Sequence, residues 1–155
     1  MIEATVYDWL MLFHIVATMV WVGGLVALTV LATSALRSGQ PDTVARFVGS
    51  LRIIGPVLFA PAMAVVLGLG IWMVVDSTAW AFGQGWIRLA LGLFAAAFVI
   101  GALFQSRAAI LAQRAVAAGD QGEATRQLRR WTWGMGLILL LLLVVTWDMV
   151  FQPGV

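Results

Sequence analysis

The sequence predicts an all-α integral membrane protein, a four-helix bundle with both termini outside the cytoplasm, and three observations predict it. Hydrophobic residues make up 63% of the chain and charged residues only 10%, with a mean hydropathy of +1.01, far beyond the range of soluble domains. The apolar residues gather into four runs, about 9–31, 53–75, 86–110 and 131–150, each near the roughly 20 residues that cross about 30 Å of hydrocarbon. Eight of the nine arginines, Arg88 excepted, fall on one side of the resulting topology. With 155 residues, residues 1–155 form a single transmembrane domain with no room for a separate soluble one.

Span one, Trp9 to Leu31, begins after Glu3 and Asp8. That acidic flank and the length of the run argue against a cleaved signal peptide. Next come Arg37, Arg46 and Arg52, in a loop retained in the cytoplasm by the positive-inside rule. In "SGQPDTVARFVGSLRIIG", Gly39, Gln40 and Pro41 form a turn, and a helical stretch from Asp42 either lies along the membrane surface or leads into span two. Within span two, Pro61 lacks a backbone donor, which leaves the Val57 carbonyl short of a partner and predicts a kink.

Span three opens at Trp86 and Arg88 on the outer side. Its helical pattern continues past the membrane to Ala118, where Gly119 is the expected C-terminal cap. Asp120, with Glu123 three residues later, is the expected start of the next helix, so residues 107–130 read as a cytoplasmic helical hairpin. Span four runs from Trp131 to Val150 and carries Asp148 near its outer end. Arg88 and Asp148 then stand at the same surface on adjacent antiparallel helices, and an ion pair between them is predicted. The small residues, Gly23, Gly68, Gly92, Gly101 and Gly134 among them, mark where helices approach closely.

Composition also excludes functions. Zero cysteines remove disulfides, iron–sulfur clusters and thiolate metal sites. The isoelectric point near 10.5 reflects a net charge of only +2 from arginines in short loops, so no nucleic-acid partner is expected. No nucleophile stands beside a base, no glycine-rich phosphate loop precedes a helix, and no paired carboxylates sit at depth. Hydrolase, kinase and transferase chemistry therefore lacks its residues, and no reaction is assigned.

Intramembrane ionisable groups are the best pointers to function, and His14 is the one histidine. It lies about five residues, roughly 8 Å, below the outer edge of span one. Trp21 returns to nearly the same azimuth at 100° per residue, with Thr18 on the same flank. His14, Thr18 and Trp21 form one polar-aromatic stripe, which is either a hydrogen-bonded structural imidazole or a ligand site. The same depth count reaches Gly70 in span two and Gly92 in span three. Two positions without side chains, level with an imidazole, suit either a slot for a flat macrocycle or close helix packing.

The stretch "FHIVATMVWVGG", with His14, Trp21, Gly23 and Gly24, resembles the first-span signature of CopD-like membrane proteins. It is similar, more distantly, to the first span of HemJ-type protoporphyrinogen oxidases. "GWIRLALGLF", with Trp86 and Arg88, resembles the opening of a later span in those families. The resemblance touches two of the four spans. It implies a four-helix bundle whose His14 holds b-type haem for redox or haem handling, as in the HemJ type, or takes part in copper transport or homeostasis, as in the CopD type. HemJ-type proteins carry an important lysine in a later span, whereas this chain has no lysine and only Arg88 near that place. Copper(I) favours soft ligands, and Met11 stands one turn from His14, but Met19, Met63, Met73, Met135 and Met149 form no tight spacing. Three readings follow: a haem b protein with His14 as metal ligand, a copper protein, and a bundle without cofactor or catalysis that supports a larger membrane complex. The expected setting is the cell membrane, crossed several times, with lipid and a homo-oligomer or membrane complex as partners.

Overall fold

The computed structural model describes residues 5–152, all helix and turn with no strand among them; Glu3, counted above with the outer charges, lies outside this range. Six α-helices follow one another: α1 (Val6–Arg37), α2 (Pro41–Ile54), α3 (Ala60–Asp76), α4 (Gly85–Val99), α5 (Ser106–Ala117) and α6 (Gln121–Phe151). Four continuous helical stretches, Val6–Arg37, Val57–Asp76, Gly85–Ala117 and Gln121–Phe151, are long and apolar enough to cross a membrane. The chain is thus an all-α bundle of four membrane helices. The first, third and fourth run past their apolar runs, because a helix need not stop where hydrocarbon does, while the second begins at Val57, inside the run of about 53–75.

Local chemistry sets the helix ends. Thr5 and Asp8 start α1 reciprocally: Thr5 N donates to Asp8 Oδ2 at 2.8 Å, and Asp8 N donates to Thr5 Oγ1 at 3.3 Å. Gly39 and Gly119 take left-handed φ values of +64° and +73°, which a Cβ would disfavour. Asp120 accepts from Glu123 N at 2.9 Å to open α6.

Two wide, π-helical turns interrupt the long helices. Gly55–Phe59 joins α2 to α3, with the Ala60 amide donating back to the Gly55 carbonyl. The irregularity expected from Pro61, at the Val57 carbonyl, falls in this wide turn, which contains Val57, while Pro61 itself sits in the first turn of α3. Ile100–Gln105 joins α4 to α5, where both the Ser106 amide and its hydroxyl donate to the Gly101 carbonyl. Each extra residue rotates the following helix relative to the preceding one.

Helices α1 and α6 are the central pair. α3 packs on α1, while α4 and α5 pack on α6. α2 packs against α5, α6 and α1, burying Val44, Val48 and Leu51. With that face packed, α2 runs through the wide turn that follows into span two. The backbones of α3 and α4, consecutive in the chain, make almost no close approach to each other.

The tightest core lies at the arginine-rich end, where Ala32, Val48, Ala124 and Leu128 have no exposed surface and Ala108, Ala112 and Ala115 of α5 join them. There the hydrophobic effect drives packing, and alanines let the helices come close. Across the spans, much apolar surface faces outward toward lipid; of the glycines expected to mark close approach, Gly134 meets Phe104 and Gln105, whereas a Cβ on Gly23, Gly68, Gly92 or Gly101 would meet nothing within 4 Å.

Candidate functional site

Several polar groups lie toward the end where α1 and α4 begin and α6 finishes. An aromatic cluster closes that end. Trp80 Nε1 donates to Tyr7 Oη at 3.2 Å, and the Trp80 ring meets Trp86 edge-on, with centroids 5.2 Å apart. The loop carrying Trp80 is braced by its own side chains: Ser77 Oγ accepts from the amides of Ala79 and Trp80, and Gln84 Nε2 donates to the Ala79 carbonyl. Indoles with an apolar body and a polar edge suit the membrane–water boundary.

His14 is half-buried on α1 and is turned toward α3. A Cβ placed on Gly70 would lie 3.2 Å from His14 Cε1 and 3.6 Å from Nδ1. The carbonyl of Val66, one turn before Gly70, borders the ring. In a helix the side chain at i+4 stands near the carbonyl of residue i, so glycine at 70 leaves the Val66 carbonyl open to the imidazole. His14 Nδ1 is enclosed and makes no hydrogen bond.

The rest of the stripe divides by role. The Thr18 hydroxyl donates to the His14 carbonyl at 2.8 Å, so its proton serves the helix backbone and not the imidazole. Trp21 is buried, one layer deeper, and packs on Phe94 of α4 at 5.7 Å between centroids. Gly70 and Gly92 meet different surroundings. The imidazole itself fills the space beside Gly70, while a Cβ on Gly92 would meet nothing within 4 Å. For a haem, the donor at hand would be the single imidazole with the Val66 carbonyl beside it.

The predicted ion pair between Arg88 and Asp148 is not formed. Trp86, Ile87 and Ala90 are the inward residues of α4, which turns Arg88 to the exposed side. Asp148 continues the inward stripe of Ile138, Leu142 and Val145 on α6 and has no exposed surface. Among the described residues the one ion pair joins Arg126 and Glu123.

Three features escaped the reading of the sequence. Neither carboxylate oxygen of Asp148 has a hydrogen-bond partner, and Trp86 Nε1, at the same end on the adjacent helix, is also buried without one. Gln105, in the wide turn before α5, is buried with both amide atoms unpartnered. Its signal was a lone amide in an apolar run; what the run did not reveal is the wide turn that points it inward.

No curated protein and no solved structure matches the chain. A family model described as "Predicted integral membrane protein (DUF2269)" matches residues 8–153. Four spanning helices and a match over nearly the whole chain agree, and the protein belongs to this family of integral membrane proteins.

Proposed function

We propose that this protein binds b-type haem through His14 Nε2, in a redox or haem-handling role, in the cell membrane with its arginine-rich end in the cytoplasm. The observation that carries the reading is the setting of the imidazole: one ring edge against Gly70, the Val66 carbonyl beside it, and Nδ1 enclosed with no other partner. A ligating histidine needs its second nitrogen held by an acceptor, which fixes the tautomer and strengthens the other nitrogen as a donor to metal. The Val66 carbonyl is the acceptor available. Haem, when bound, supplies one-electron chemistry tuned by its axial ligands. Because the chain holds one histidine, any further ligand would come from a methionine, a water or the His14 of a second copy.

A copper site has less support, since copper(I) favours soft ligands and the chain offers one histidine and no cysteine. The test is the visible spectrum of gently purified protein after haem-replete expression. A Soret band is expected in the wild type and is lost in His14→Ala while the variant remains in the membrane. Gly70→Ala, whose methyl would crowd Cε1, is expected to weaken or shift that band. Colourless wild-type protein, or an unchanged band in His14→Ala, rejects the reading; the first result favours a bundle that supports a larger complex.

The orientation has its own test. Reporter fusions at Val155 are expected to behave as non-cytoplasmic, and fusions within the turn at Gly119 as cytoplasmic, because loops rich in arginine are retained. The reverse pattern overturns it.

A further inference from the structure

We propose that the arginine-rich end carries a binding site for an anionic phospholipid, in the groove between α5 and the first half of α6. The groove has a volume of about 650 Å³ and is lined by Leu103, Phe104, Arg107, Arg114, Gln127 and Arg130, among others. Its layout follows the bilayer. Arg107 stands 21 residues after Trp86, roughly 30 Å along the helix at 1.5 Å per residue, which is the hydrocarbon thickness. On α6 the apolar run begins at Trp131, next to Arg130. Leu103 and Phe104, both exposed, lie one turn further into hydrocarbon.

Along the continuous helix the groove residues alternate in kind at intervals of three and four. Leu103 and Phe104 come first, then Arg107, then the exposed Ile110 and Leu111, then Arg114. These intervals place them on one face. Arg130 reaches the groove from α6, one turn after Gln127, whose amide is occupied by Glu123 Oε1 at 2.6 Å. Arg107, Arg114 and Arg130 form no ion pair or hydrogen bond among the described residues, so three guanidinium groups border the groove without a counter-charge.

A phosphodiester at the level of Arg107 and Arg130 answers that charge, and guanidinium groups bind phosphate oxygens in pairs. An acyl chain descending from it covers Leu103 and Phe104. A zwitterionic lipid brings its own cation into the groove and loses part of the attraction. The site is independent of His14, which lies toward the other end of the bundle, and it survives or fails separately from the haem reading.

Full-length protein in nonionic detergent, stripped of lipid, is titrated with phosphatidylglycerol or with phosphatidylcholine of the same chains, and bound lipid is counted by native mass spectrometry. The wild type is expected to prefer phosphatidylglycerol. With each arginine worth about fivefold near a charged lipid, the triple variant R107Q/R114Q/R130Q is expected to bind phosphatidylglycerol about 100-fold more weakly. R46Q, outside the groove, keeps the preference. Inorganic phosphate at the same concentration is expected not to displace the lipid, because it lacks the acyl contact. Equal retention of the two lipids, a preference that survives in the triple variant, or displacement by inorganic phosphate overturns the proposal. If the triple variant does not fold, the three single variants carry the same test, each with about a fivefold loss.

Discussion

Gly134→Val is expected to destabilise the bundle by about 3 kcal/mol, the upper end of what overpacking a filled core costs. A Cβ at position 134 would stand 2.9 Å from Cδ1 and Cε1 of Phe104 and 3.1 Å from Oε1 of Gln105, so even one methyl group forces a movement. Phe104 is 45% exposed and can swing toward lipid, so Gly134→Ala should cost less, about 1 kcal/mol. Valine differs because its branched methyls also press on the Gln105 amide, which is buried and has no such outlet. Unfolding in mixed detergent micelles would show the loss as a lower midpoint. Adding Phe104→Ala should recover part of it, since the two changes share one contact. A Gly134→Val protein with the wild-type midpoint would mean that α6 and the wide turn before α5 are not packed this closely.

Asp148→Leu is expected to do the reverse and raise stability, by about 2 kcal/mol. Leucine keeps the branched shape but replaces two buried oxygens that have no partner, and an unsatisfied buried polar group carries a penalty of about 1–3 kcal/mol. Asp148→Asn retains the polar atoms in the same place and should change stability little. Both variants would be read by the same unfolding midpoints. A Leu variant less stable than the wild type would reveal a partner that holds the carboxylate. An ionisable group kept inside a membrane protein against its stability is the usual mark of a functional position. Asp148 and the unpartnered indole of Trp86 are therefore the next residues to vary once an assay exists.

The sequence by itself determined the number of the spans, because hydrocarbon leaves a helix no alternative to a long apolar run that satisfies its own backbone. It also determined the sharp turns, since Gly119 is free to take positive φ and Asp120 caps the helix that follows. Depth was legible as well: antiparallel helices rise by the same 1.5 Å per residue, so counting from the outer edge brings Gly70 level with His14, where the two touch. Azimuth was not legible. A membrane helix is apolar on almost every side, so hydrophobic periodicity does not say which face turns inward. Only packing decided that Arg88 faces out while Asp148 faces in, that Gly70 meets an imidazole while Gly92 meets nothing, and that the wide turns at Gly55–Phe59 and Ile100–Gln105 rotate the helices beyond them. That rotation is set by side-chain shapes on several helices at once, and no single stretch of sequence contains it.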